Sequence, residues 1–353
     1  MPQPYLGEDL IFVISQPRSG STLLQRVLSG HPLIQTSAET WLMLHPIYGL
    51  RAFGVESEFN SQWATTAVTE FLDNYTDGRS VYFDAIREWA RVIYQNALAR
   101  SGKTYFLDKT PRYYFIVNEL YRLFPRAKFI FLIRNPMAVL ASELTSYVTD
   151  NLSQLSLLRS DLLVAPQKIL QGIDHLGDDA IVIRYEELVA RPEQCVAALC
   201  ERLGVTFFGE MLDYSRTPVP KGKMNDHIGI HQHSRPSTES LDKWHAMSGD
   251  PQSCHFARSY LEELGRDMIE RLGYSFDEIQ QRFPDNVAGT SSDRVLAWDI
   301  AIQPESQRTM REWYSFERYE IKRRSGMIGA IRGELSAGRR TLRRVLKGRG
   351  RTL

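Results

Sequence analysis

Cysteine is scarce in this chain: Cys195, Cys200 and Cys254 are the three among 353 residues, and their spacing suits neither a disulfide framework nor a zinc pair. That argues against a stapled secreted scaffold and predicts a reducing compartment. Long apolar runs are missing too. No uninterrupted stretch is long enough to span a bilayer, and the opening MPQPYLGEDL lacks a basic region followed by an apolar one. A soluble, cytoplasmic protein is the expectation. No internal repeat is visible.

What is present is a sequence able to bury a full α/β core, with 43% hydrophobic residues. The charge is unevenly spread. From Arg318 to Leu353 twelve Lys or Arg stand against Glu320 and Glu334, a local +10, and the whole chain is at +1, which leaves the first 317 residues at −9. Between Phe283 and about Gln307 the pattern weakens and Gly, Ser, Thr and Pro accumulate. The expected organisation is a main domain over 1–283, a linker or peripheral segment over 284–317 and a basic tail over 318–353.

Short apolar runs predict strands at Leu10–Ser15, Tyr105–Asp108, Lys128–Arg134 and Ala180–Arg184. Helical patterns cover Thr22–Ser29, Val81–Arg100, Tyr113–Leu123, Pro136–Thr149, Arg191–Leu203 and Ser253–Leu272, with Pro near starts and Gly near stops. Strands alternating with helices predict an α/β, P-loop-like three-layer fold, its mainly parallel central sheet flanked by helices. Ligands of such sheets sit at the carboxyl ends of the strands, where Arg18, Lys109 and Arg134 fall. Trp41, His45, Tyr48, Phe53 and Trp63, within Glu39–Asn74, read as variable helices over a pocket mouth or as plain core.

Two motifs carry chemistry. In LIFVISQPRSGSTLLQRVLSGHP an apolar strand runs into a turn and then a helix. Gly20 permits a tight turn around an anion, the amides opening the helix point at it, Ser19, Ser21 and Thr22 add hydroxyl donors and Arg18 adds charge. No Gly-Lys pair follows, and no strand ends in an obvious magnesium carboxylate, so the chemistry of nucleoside-triphosphate loops is missing. In KFIFLIRNPMAVLASEL a strand ends at Arg134 and a helix bears Ser142, a second place where a guanidinium and a hydroxyl can hold an anion. Two anion sites on adjacent strand ends imply a ligand with phosphates at both ends.

Together QPRSGSTLL and FIFLIRNPMAVLAS resemble the sulfotransferase superfamily. The similarity is greatest to the branch with the tyrosylprotein sulfotransferases and many bacterial relatives, and it runs from Ile11 to Trp244. The resemblance implies 3′-phosphoadenylyl sulfate (PAPS) as co-substrate and no required metal. It implies Arg18, Ser19, Gly20, Ser21 and Thr22 on the 5′ phosphosulfate and Arg134 and Ser142 on the 3′-phosphate. It further implies Glu39 as general base on the acceptor hydroxyl, Lys109 stabilising charge around the sulfonate, Tyr185 near the nucleotide and Lys243 closing over it. Arg18, Glu39 and Lys109 are thus the catalytic expectation. Ser146 stands where the tyrosylprotein branch has a second arginine, a departure at the 3′-phosphate site.

Elementary chemistry agrees with these roles. Sulfonate transfer leaves negative charge on the departing bridging oxygen, which fixed cations such as Arg18 and Lys109 stabilise. A carboxylate such as Glu39 can take the proton of an otherwise poor alcohol nucleophile. The resulting expectation is in-line sulfonate transfer to a small-molecule, lipid or natural-product hydroxyl. The alternatives are a P-loop small-molecule kinase and a non-catalytic nucleotide-binding scaffold. His227, His231 and His233 admit a metal reading, but Lys221–Ser240 reads better as a mobile loop. The basic tail suits an acidic partner or an anionic membrane surface, with no specific nucleic acid.

Overall fold

Six consecutive apolar or small residues, LIFVIS, form β1 (Leu10–Ser15), and all six are buried. Because successive strand residues face opposite sides, burial of every one means that both faces of the sheet are covered. The computed structural model describes residues 4–148, 151–222, 224, 233–284, 295–321 and 323. Beside β1 lie β2 (Ile34–Thr36), β3 (Tyr105–Lys109), β4 (Lys128–Ile133) and β5 (Ala180–Arg184). Every pairing is parallel, in the order β2-β3-β1-β4-β5. This is the three-layer α/β architecture that the alternating pattern predicts. The strand β2 goes unpredicted because it is three residues long, two of them polar.

The chain divides into two compact units. The first, residues 1–134 and 165–238, holds the sheet. Its helices are α1 (Ser21–Ser29), α2 (Ser61–Tyr75), α3 (Arg79–Ser101), α4 (Val117–Leu123), α5 (Ala165–Leu176), α6 (Tyr185–Ala190) and α7 (Pro192–Leu203), with a short turn of helix at Leu44–Tyr48. His31, which follows the first loop in the motif, is structural: its Nδ1 accepts from Leu33 N and its Nε2 pairs with Thr206 O. Burial pushes its pKa down.

The second unit, residues 135–164 and 239–353, has its own apolar core. Met137, Leu140, Leu155, Phe256, Tyr260 and Trp298 are among its buried residues. The helix expected over 136–149 ends at Glu143 and gives way to a wider π-type turn over Leu144–Val148. Thr145 Oγ1 bonds back to Ala141 O there, at 2.8 Å, which loosens a helix end. The helix Pro251–Arg271 is interrupted at Gly265, whose φ is +76°. Within 284–317, read from composition as linker or peripheral, Leu296, Trp298, Ile302, Trp313 and Phe316 enter this core. The tail beyond Arg323 lies outside the described residues.

Candidate active site

The parallel sheet delivers its carboxyl-terminal ends to one edge. There Val13 of β1 is in register with Lys109 of β3, and Ser15 of β1 with Leu132 of β4. The loops leaving β1, β3, β4 and β5 begin side by side, which is why Arg18, Lys109, Arg134 and Tyr185 come from four separated stretches of sequence to one edge.

After β1 the backbone turns through two left-handed residues, Arg18 at φ +65° and Gly20 at φ +90°. At Gly20 a side chain is excluded twice. A Cβ there would sit inside the van der Waals surface of the Tyr185 ring, besides the strain of a positive φ. Gly20 opens α1, whose first turn carries no acidic residue and whose N-terminus receives no side-chain cap. Ser19 is 1% exposed, and its Oγ has no hydrogen-bond partner among the described residues. A buried hydroxyl without a partner costs about 1–3 kcal/mol, which a ligand accepting from it would offset. Ser21 is buried and Thr22 half-buried in the same turn. An uncapped helix start, a buried unmet hydroxyl and an arginine fit an anionic phosphosulfate.

Arg134 ties this loop to the end of the neighbouring strand β4. Its Nη1 donates to Arg18 O at 2.7 Å, and its guanidinium lies 4.3 Å from the centre of the Tyr185 ring. Tyr185 therefore packs on Gly20 and Arg134 at once, beside the loop after β1. Ser142 and Lys243 belong to the second unit. Ser142 lies half-buried on the helix Pro136–Glu143, and Lys243 opens the turn Lys243–Gly249, where its Nζ donates to Glu239 Oε1 at 2.8 Å.

A second cluster sits at the end of β3. Lys109 has a fully buried side chain and donates from Nζ to Glu39 Oε1 at 3.0 Å, while Glu39 stays 18% exposed. The other oxygen, Oε2, accepts from Trp41 Nε1 at 3.2 Å. Glu39 is thus gripped at both oxygens yet open on one side. Its backbone is held as well: Ala38 N and Glu39 N donate to Lys221 O and Met224 O.

Sequence reading missed what fixes this corner. Asp108, 1% exposed, accepts from four hydroxyls: Thr40 Oγ1 (2.6 Å), Tyr94 OH (2.7 Å), Tyr113 OH (3.0 Å) and Thr110 Oγ1 (2.9 Å). Thr110 Oγ1 and Tyr113 OH in turn accept from the backbone amides of Trp41 and Met43. The network pins residues 40–43 to β3 and holds Trp41 at φ +53°, a conformation costly for a residue with a Cβ. Burial raises the Asp108 pKa, and the four hydroxyl bonds oppose that rise. An aspartate ending an apolar strand is the available signal, since a buried carboxylate requires donors.

Among the described residues no group of three or more His, Cys, Asp or Glu is placed to hold a metal ion, and no helix is long and apolar enough to cross a membrane. His227 and His231 lie outside the described residues, as do most of the basic tail and the partner surface expected of it.

Residues 9–209 match the profile of the Sulfotransferase family. The chain is 32% identical over 239 residues to the nodulation protein NoeE of Sinorhizobium fredii, covering 59% of this chain and 54% of that one, so it spans about half of NoeE's length. It is 25% identical over 307 residues to protein-tyrosine sulfotransferase 2 of Gallus gallus, covering 82% of this chain and 76% of that protein. The solved "Sulfotransferase Domain from the Curacin Biosynthetic Pathway" aligns at 23% identity with a TM-score of 0.47, over 69% of this chain and 91% of that one.

Proposed function

The chain belongs to the sulfotransferase family, and from that premise we propose that it moves a sulfonate group from PAPS to a hydroxyl acceptor by in-line displacement. The observation that carries this reading is the Glu39–Lys109 pair. A carboxylate open on one side is held by a buried ammonium at the end of β3, next to the strand that leads into the uncapped loop. In this reading the loop from Arg18 to Thr22 holds the 5′ phosphosulfate. Arg134, steadied on Tyr185, supports the loop and serves the 3′-phosphate.

The acceptor oxygen forms a bond to sulfur as the bond from sulfur to the bridging oxygen breaks. Its proton passes to Glu39, and 3′,5′-bisphosphoadenosine departs with the bridging oxygen and its electron pair. Arg18 and Lys109 face the charge that grows on that oxygen, so they stabilise the transition state more than the ground state. Trp41 and Lys109 fix the carboxylate beforehand, so no reorganisation is needed when the proton moves. An alcohol is the acceptor class that requires such a base.

Calorimetric titration with 3′,5′-bisphosphoadenosine, alongside turnover of labelled PAPS over a panel of phenolic, lipid and sugar alcohols, tests this. Binding that Arg18→Ala abolishes, with label appearing on an alcohol, is expected. Preference for ATP with strict dependence on magnesium would make the chain a kinase, and nucleotide binding with no product on any acceptor class would make it a scaffold.

A further inference from the structure

The helix that leaves the anion loop carries a fully buried polar side chain that the chemistry above does not use. Gln25, in the second turn of α1, is 0% exposed. Its Nε2 donates twice, to Thr36 Oγ1 at 2.7 Å and to Ser37 O at 2.6 Å. Thr36 Oγ1 in turn donates to Leu107 O at 2.7 Å. One carboxamide therefore joins α1, the end of β2 and β3. These elements lead, respectively, out of the Arg18–Thr22 loop, toward Glu39 and to Lys109.

The place of these bonds matters because the sheet stops there. The last paired residue of β2 is Thr36, opposite Leu107. Beyond it Ala38 N and Glu39 N reach Lys221 O and Met224 O at 3.4 Å each, longer than the roughly 2.7–3.2 Å of a firm N–H···O bond. On the other side of Glu39, residues 40–43 are held by the hydroxyl network of Asp108. Glu39 thus lies between two buried anchors, Gln25 before it and Asp108 after it. Gln25 is the anchor that belongs to the helix of the loop.

The carboxamide contributes direction more than stability. Gln25 Oε1 is closed to solvent and has no hydrogen-bond partner among the described residues. An unmet buried acceptor costs about as much as an ordinary hydrogen bond or two returns, so it offsets what Nε2 gains. Methionine has the same length and would fill the same volume without that cost. What it lacks is the pair of short bonds that fixes where Ser37, and with it Ala38 and Glu39, leaves the sheet.

We propose that Gln25 is a positioning residue for the base: it fixes the backbone before Glu39 relative to the loop, so that the carboxylate is aimed at a donor held by Arg18–Thr22. This rests on the sulfonate-transfer reading of the site.

Gln25→Met and Gln25→Leu test it, with urea unfolding to verify that each variant is folded. At saturating PAPS, kcat of Gln25→Met is expected to fall by about tenfold, as a slightly misplaced group does. Calorimetry should find affinity for 3′,5′-bisphosphoadenosine within about twofold of the wild type. Hydrogen–deuterium exchange adds a readout that needs no turnover. Amides of residues 37–39 should exchange about fivefold faster in Gln25→Met, with those of residues 41–43, anchored by Asp108, unchanged. Unchanged kcat in a folded variant, exchange over 37–39 equal to the wild type, or equal loss of rate and nucleotide affinity would each overturn the proposal. Unfolding of both variants would assign Gln25 to stability and overturn it as well. A wild type that binds no 3′,5′-bisphosphoadenosine and transfers no label would instead remove the sulfonate-transfer reading, and the exchange comparison would still decide whether Gln25 holds the segment before Glu39.

Discussion

The loop after β1 and the corner after β3 lie on neighbouring strands and are built in opposite ways. The loop is mostly backbone: two left-handed residues, a glycine against a ring, a helix start without a cap and a buried Ser19 hydroxyl with no partner among the described residues. The corner is mostly side chain, with Asp108 meeting four hydroxyls and Glu39 held at both oxygens. A surface that receives an anion keeps donors in reserve for it, whereas a group that moves a proton must be aimed before the substrate arrives. Under the proposed function, affinity for the nucleotide falls to the loop and rate to the corner, and substitutions in the two regions should separate accordingly.

The largest effect is expected at Glu39. Glu39→Gln keeps the shape and the Trp41 contact but removes the proposed base, and turnover should fall by about 10³-fold while calorimetry finds the affinity for 3′,5′-bisphosphoadenosine within twofold of the wild type, roughly the noise of such contacts. Equal loss of rate and affinity would erase the distinction between the regions. Gly20→Ala should do the reverse. Its Cβ collides with Tyr185 at a φ of +90°, a conformation that alone costs an L-residue about 1–2 kcal/mol. Ring displacement then disturbs the Arg134 stack, so nucleotide affinity is expected to drop by about 100-fold, equivalent to two steps of 1.4 kcal/mol.

Asp108→Asn comes next. One amide oxygen can still serve Thr40, Tyr94 and Tyr113, but an NH₂ then faces Thr110, so the clamp on residues 40–43 loosens at a cost of about 1–3 kcal/mol. Asp108 is a positioning residue, so kcat should fall by about tenfold with nucleotide affinity retained. It also carries a pH signature. Its folded pKa is raised by burial above the ordinary 3.8, so the folded state binds its proton more readily than the unfolded chain. The associated stability is complete below 3.8 and is lost as pH rises through the folded value. Urea unfolding should find the gap between wild type and Asp108→Asn widest in acid and narrower at neutral pH.

The two regions also differ in how much of them can be read from sequence. The loop occupies contiguous residues, and a glycine between a proline-arginine step and a helix start states its geometry locally, so the turn from Arg18 to Thr22 was legible in the sequence. The four longer strands were legible from their apolar runs. Asp108 was not, because its partners Thr40 and Tyr94 stand 68 and 14 residues away, and a single sequence does not show which hydroxyls meet. The strand β2 escaped because an edge pairing of three residues needs no apolar pattern. The segment from Leu296 to Phe316 escaped because its buried residues are sparse amid loop-forming composition, and only tertiary packing makes them core.

The smallest expected effect bears on whether the loop is backbone alone. Arg134 is a side chain that crosses the contrast, donating from Nη1 to Arg18 O at 2.7 Å while its plane covers Tyr185 at 4.3 Å. Lysine in its place keeps the charge and one donor but loses the planar fork and the stacking face. Loss of a cation–π contact is worth about 0.5–1 kcal/mol, so Arg134→Lys should weaken 3′,5′-bisphosphoadenosine binding by about 2–5-fold and leave turnover at saturating donor nearly unchanged. Affinity equal to the wild type would mean that charge at this strand end is sufficient and the loop holds its shape unaided. A fall in kcat would show instead that Arg134 transmits its geometry through Arg18 to the reacting group, and the division between an affinity loop and a rate corner would have to be redrawn with Arg134 on both sides of it.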